Sequence, residues 1–118
     1  QKITKFLSKE CVICTMQNGL PEQDISEIIG SDRTYGCPVS WGTTRIKPGI
    51  SELTSSPTYD SLSFNIWKYS GIHNEYLDEI KKILNNVGKV TIDEYLIGGR
   101  WGKVLINSSL SGWRNFVQ

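Results

Sequence analysis

The sequence predicts an α+β fold: a single small domain over residues 1–118, with a mostly antiparallel sheet and two helices in a ferredoxin-like, split β-α-β arrangement. Three observations carry this prediction. Leu62, Phe64 and Ile66 alternate with Ser63, Asn65 and Trp67, which is the period of a strand. Leu77, Ile80, Ile83, Leu84 and Val87 recur at helical spacing. A length of 118 residues, 38% of them hydrophobic and 21% charged, suits one core, and the chain carries no repeat, low-complexity linker or basic run that would divide it.

Taken in order, Ile3 to Leu7 and Cys11 to Met16 are short β-branched and apolar runs on either side of Ser8-Lys9-Glu10, read as a bent strand or hairpin of the sheet. Asn18-Gly19 marks a turn. Pro21 suits a first helical position, Glu22 and Asp24 complement the positive helix start, and Gly30 can end the segment, so a helix is expected from Pro21 to Ile29. From Ser31 to Asp60 glycine and proline interrupt any long element. Val39 to Ile46 still alternates as a strand that would place Trp41 and Arg45 on one face, and Ser51 to Asp60 reads as an exposed flap.

The strand beginning at Ser61 comes next, followed by a helix capped by Asn74 and stopped by Gly88. Val90 and Ile92 open another strand. Tyr95 and Ile97 continue on the opposite parity, which asks for a bulge at Asp93-Glu94 before a hairpin turn at Gly98-Gly99, where paired glycines tolerate positive φ. The tail from Asn107 to Gln118 resumes apolar character at Trp113, Phe116 and Val117 and is expected to pack as a last short element.

Chemistry-bearing residues are few. Thirteen Lys plus Arg against twelve Asp plus Glu give a formal charge of +1, so attraction to nucleic acid would have to come from a local patch. No apolar run approaches the roughly 20 residues of a membrane helix, and no membrane partner is expected. Cys11, Cys14 and Cys37 form an odd set with one Cys-x-x-Cys pair. His73 is the sole histidine that could complete a zinc site, so buried structural cysteines are preferred, and neither a metal nor a cofactor is expected. Asn107-Ser108-Ser109 matches a glycosylation acceptor, but an intracellular location is preferred over secretion.

The one suggestive surface is the run Arg100-Trp101-Gly102-Lys103 at the expected hairpin, where two cations, a stacking ring and glycine backbone N–H groups could meet an anion. No Walker or dinucleotide fingerprint is present. Trp41 and Arg45 repeat the pairing of aromatic with cation, giving a candidate ligand-binding set of Arg100, Trp101, Lys103, Trp41 and Arg45. An aromatic followed by Gly-Gly-Arg-Trp is similar to a string in small phage and bacterial proteins. That resemblance implies a microbial or viral source and no activity. The expected function is a binding or inhibitory module for a nucleotide, a nucleic acid or a partner protein, and not an enzyme. The alternative is a small nuclease-type toxin in which His73 acts as the catalytic residue with basic residues around the phosphate. Cys37 activated by His73, and Asp93 with Glu94 as an acid-base pair, are weaker arrangements. Gly36-Cys37-Pro38 carries no helix-terminal activation, and adjacent strand residues point to opposite faces.

Overall fold

The computed structural model describes residues 4–94, 98 and 100–105. Strand β1 (Ile13–Thr15) leads through helix α1 (Pro21–Ile29) to β2 (Thr34–Gly36). The hairpin β3 (Thr43–Lys47) and β4 (Ile50–Leu53) follows, and β5 (Phe64–Lys68), helix α2 (Glu75–Leu84) and β6 (Val90–Ile92) complete the sheet. Positions 98 and 100–105 are helical and are called α3.

The four-stranded sheet has the order β1-β2-β5-β6, with β3 and β4 forming a separate two-stranded sheet. β1 and β2 run parallel, as do β5 and β6, while β2 and β5 are antiparallel. The fold is thus α+β with a mixed sheet, built from two β-α-β units joined at their inner strands. Each unit pairs its own two strands directly, so neither unit is split, and the mostly antiparallel, ferredoxin-like arrangement is corrected. The strand-helix-strand pattern of the second unit is visible in the sequence, whereas β2 lies within the Ser31 to Asp60 stretch that reads as irregular. Which strands become neighbours depends on contacts far apart in the chain, and residue periodicity does not encode them.

Both main helices follow their local signals. α1 starts with Pro21 at its first turn beside Glu22 and Asp24, and Gly30, at φ 92°, closes it by donating its N–H to Ser26 O at 2.9 Å. The Asn74 side chain caps α2 by accepting from Leu77 N at 3.3 Å, and Asn74 Nδ2 donates to the Tyr35 hydroxyl at 2.9 Å. That second bond ties the helix start to fully buried Tyr35 of β2. α2 ends at Leu84, four residues before Gly88. A Cβ on Gly88 would lie 1.6 Å from Leu62 O, so this glycine serves a close backbone approach rather than a helix stop. The core gathers Tyr35, Cys37, Phe64, Ile66, Leu77 and Val90, with Val12, Cys14, Val39, Trp41, Ile80, Leu84 and Ile92 packed against it.

Other expectations change. The run at Ile3 to Leu7 supplies no described strand: Thr4–Phe6 is a turn of 3-10 helix, closed by the Leu7 N–H donating to Thr4 O at 3.2 Å. Val39 makes only an isolated bridge to Phe64, and the strand proper begins at Thr43. The Ser51 to Asp60 flap contains most of β4, paired in register with β3 from Thr43↔Leu53 to Arg45↔Ser51. Gly98 and positions 100–105 are helical, so the described residues form α3 where a hairpin was expected. Arg100 is buried and Lys103 and Val104 are half-buried, whereas Trp101, Gly102 and Leu105 are exposed. That is the i, i+3, i+4 pattern of a helix face, not the alternation of a strand. The Tyr95 and Ile97 strand after the expected bulge, and the packed tail from Asn107, lie outside the described residues.

Candidate functional site

α3 divides the Arg100-Trp101-Gly102-Lys103 run between two directions. Successive helix residues point about 100° apart, so Arg100 faces the sheet while Trp101 is turned outward, 51% exposed. Arg100, 1% exposed, reaches into the turn between β1 and α1. Its Nη1 donates to Gln17 O at 2.6 Å, its Nη2 pairs with the buried carboxylate of Glu22, and Thr15 Oγ1 lies 3.5 Å from the same nitrogen. The Thr15 hydroxyl donates in turn to Glu22. The guanidinium carbon also sits 5.1 Å from the centroid of the Trp67 ring, within cation-π range.

Lys103, one turn further along α3, places Nζ on the carbonyl of Val39. Burial is the larger influence on its titration, and the Arg100 charge the second; together they hold the ammonium below its ordinary pKa, with Cys37 acting in the opposite sense. Cys37 is fully buried just past β2, where its N–H donates to Thr15 O at 2.8 Å. The Cys14 thiol donates to Cys37, which raises the pKa of Cys14 and lowers that of Cys37, and the charges of Arg100 and Lys103 add to the lowering. The two cations thus face one carboxylate and a thiol pair. The surplus is positive, and Lys103 remains half open to solvent. Such a spot can attract an anion and release a proton to it.

The remaining candidates lie elsewhere. Trp41 packs edge-to-face on Phe64, ring centroids 6.2 Å apart and planes at 83°, as part of the core surround. Arg45 lies on β3, every residue of which is exposed. The expected shared face of Trp41 and Arg45 does not form, because Trp41 precedes the strand. His73 is exposed, with Nε2 3.0 Å from Asp78 Oδ2. It lines a cavity of about 350 Å³ together with Lys68, Ile72, Leu77, Asp93 and Glu94, among others. Among the described residues no group of three or more His, Cys, Asp or Glu could hold a metal ion, and no helix is long and apolar enough to cross a membrane.

Sequence reasoning singled out Arg100 and Lys103 but missed Glu22, Thr15 and the contact between Cys14 and Cys37. Glu22 carries the pattern of a helix-start carboxylate, and it is one; its partner lies 78 residues away and leaves no local signal.

No family model and no curated protein sequence matches the chain. Solved structures do. The chain is similar to 2-dehydropantoate 2-reductase from Geobacter metallireducens GS-15, with a TM-score of 0.77 and 19% identity over 89% of this chain and 34% of that one. It is similar also to D-mandelate dehydrogenase in complex with NADH, with a TM-score of 0.69 and 15% identity over 89% of this chain and 34% of the other. A ternary structure of D-mandelate dehydrogenase with NADH and anilino(oxo)acetate matches with a TM-score of 0.57 and 15% identity, over 77% of this chain and 28% of that chain. The chain therefore spans about a third of the length of the structures it resembles. At these identities the likeness is one of fold.

Proposed function

We propose that this chain supplies the proton-transfer part of a site that interconverts 2-oxo and 2-hydroxy acids, with Lys103 as the acid and base. The observation that carries the reading is the half-buried Lys103 ammonium, held at the Val39 carbonyl beside buried Arg100, with its pKa lowered by burial and by that neighbouring charge. A general acid works best when its pKa approaches the working pH, and burial of a lysine is a direct way to bring it down. The surplus positive charge suits a carboxylate next to the reacting carbonyl. The fold likeness supports the same reading, since the names of the similar structures denote a 2-oxo-acid reductase and a 2-hydroxy-acid dehydrogenase.

Reduction would need a hydride donor of the nicotinamide class, which would deliver hydride to the carbonyl carbon while Lys103 donates its proton to the oxygen; in the oxidising direction hydride would pass to the oxidised nicotinamide while neutral Lys103 takes the hydroxyl proton. The sequence contains no Gly-rich dinucleotide fingerprint, and no residue of this chain is given a role in holding the nicotinamide. The earlier expectation of an anion-binding surface survives here in narrower form, centred on Lys103. Arg100 is committed to Glu22, and the His73 cavity carries acidic Asp93 and Glu94, which disfavour a phosphate.

The test is binding of 2-dehydropantoate and anilino(oxo)acetate by calorimetry, together with nicotinamide oxidation followed by absorbance in the full protein. Both are compared with Lys103→Met. Binding should weaken at least tenfold and turnover should fall by 10²-fold or more, the usual range for removing a general acid. A protein that ignores 2-oxo acids, or a variant that turns over unchanged, overturns the proposal.

A further inference from the structure

We propose that the buried Glu22 and Arg100 pair acts as a positioning device for Lys103, fixing the ammonium at the Val39 carbonyl and setting the electrostatic field around it. The inference rests on Lys103 being the proton-transfer group. Arg100 itself is 1% exposed, its two terminal nitrogens are engaged by Gln17, Glu22 and Thr15, and its Nε, without a hydrogen-bond partner, is buried too, so it acts through another residue. Lys103 lies three positions further along the same helix, on the same face.

A buried ion pair is an unusual choice if its only task is to hold α3 down, because apolar side chains of similar volume hold a helix as well or better. What a pair of charges can do, and a pair of apolar side chains cannot, is change how a third charge titrates. The groups facing Lys103 are Arg100 on its own helix and Cys37 beyond β2. Behind them stand Cys14 of β1, through its hydrogen bond to Cys37, and Glu22 of α1, through Arg100. Arg100 lowers the Lys103 pKa, and Glu22 offsets part of the Arg100 charge. Removing either partner should then move Lys103 in opposite directions, which loss of packing would not do.

The experiment reads Lys103 without turnover, as the pH dependence of its acylation by acetic anhydride, followed by peptide mass spectrometry in the full chain. In Arg100→Met the midpoint should rise by about one pH unit, and in Glu22→Gln it should fall by a similar amount, the scale expected for one nearby charge. Arg100→Lys, which keeps the charge, should restore the midpoint to within a few tenths of a unit. Equal midpoints in all variants, or an upward shift in Glu22→Gln as well as in Arg100→Met, overturns the inference. A protein inactive toward 2-oxo acids that still shows opposite shifts would overturn the proposed function and leave this positioning role standing.

Discussion

Glu22 and Arg100 are both almost wholly buried, so each depends on the other for its charge to be tolerated inside the protein. Arg100→Ala or Glu22→Ala is therefore expected to cost about 3–5 kcal/mol, because it leaves the partner buried and unpaired. The double replacement Glu22→Leu with Arg100→Met should recover most of that loss. Urea unfolding of the three variants checks both statements. Lys103 gives a second expectation, in which the sign follows from its lowered pKa. Between the folded and the higher unfolded value the unfolded chain binds more protons, so this residue contributes stability that rises with pH across that window. Below the window the ammonium carries its burial cost in full. Lys103→Met should thus gain on the natural protein at pH 7 and lose that advantage toward pH 10, as read by paired unfolding curves. Arg100 and Lys103 could be picked from the sequence as cations beside a tryptophan. Their separate roles could not, because inward and outward facing depends on whether the segment is a strand or a helix.

The elements with strong local chemistry were legible. α1 runs from Pro21 to Ile29 as its proline, acidic first turn and glycine indicate, and Asn74 caps α2 as its position before an apolar stripe indicates. Asn74→Ala should cost about 1 kcal/mol for the cap. A further loss is expected from the Tyr35 hydroxyl, which is left without this partner in the core. Thermal denaturation of Asn74→Ala beside Tyr35→Phe with Asn74→Ala separates the two contributions. Gly36 shows what the pattern did not reveal. A Cβ there would lie 2.3 Å from Trp67 Cε2, so the sheet surface at β2 is shaped to receive the indole. Gly36→Ala should force Trp67 out of place and cost about 1–3 kcal/mol by overpacking, with a change in tryptophan fluorescence. α3 departs from the expected turn, with Gly98 and Gly102 both helical. Docking of Arg100 outweighs the roughly 1 kcal/mol that each helical glycine sacrifices.

At the scale of the whole molecule, the sequence showed strand, helix and strand for β5, α2 and β6, whereas β2 lies in the stretch from Ser31 to Asp60 that reads as irregular, and the joining of the two units was not visible. The antiparallel register of Tyr35 with Lys68 and Gly36 with Trp67 makes that junction, and it links residues more than thirty positions apart. The site has the same character: Thr15 comes from β1, Gln17 from the turn after it, Glu22 from α1, Val39 from the link toward the hairpin, and Arg100 and Lys103 from α3. A chain ending at Glu94 should keep the sheet yet leave Glu22 without its counter-charge. In that shortened chain Glu22→Gln is expected to raise the melting temperature at pH 7, whereas in the full chain the same change should lower it.

The 78-residue separation between Glu22 and Arg100 also has a meaning in time. At the usual synthesis rates of about 5–20 residues per second, roughly 4–16 s pass between making the carboxylate and making the cation that neutralises it. For most of that interval, once β2 has been made, the first β-α-β unit is complete in sequence while Glu22 lacks its counter-charge. Closing of the Glu22 and Arg100 pair therefore waits until α3 has been made, and the same helix carries Lys103.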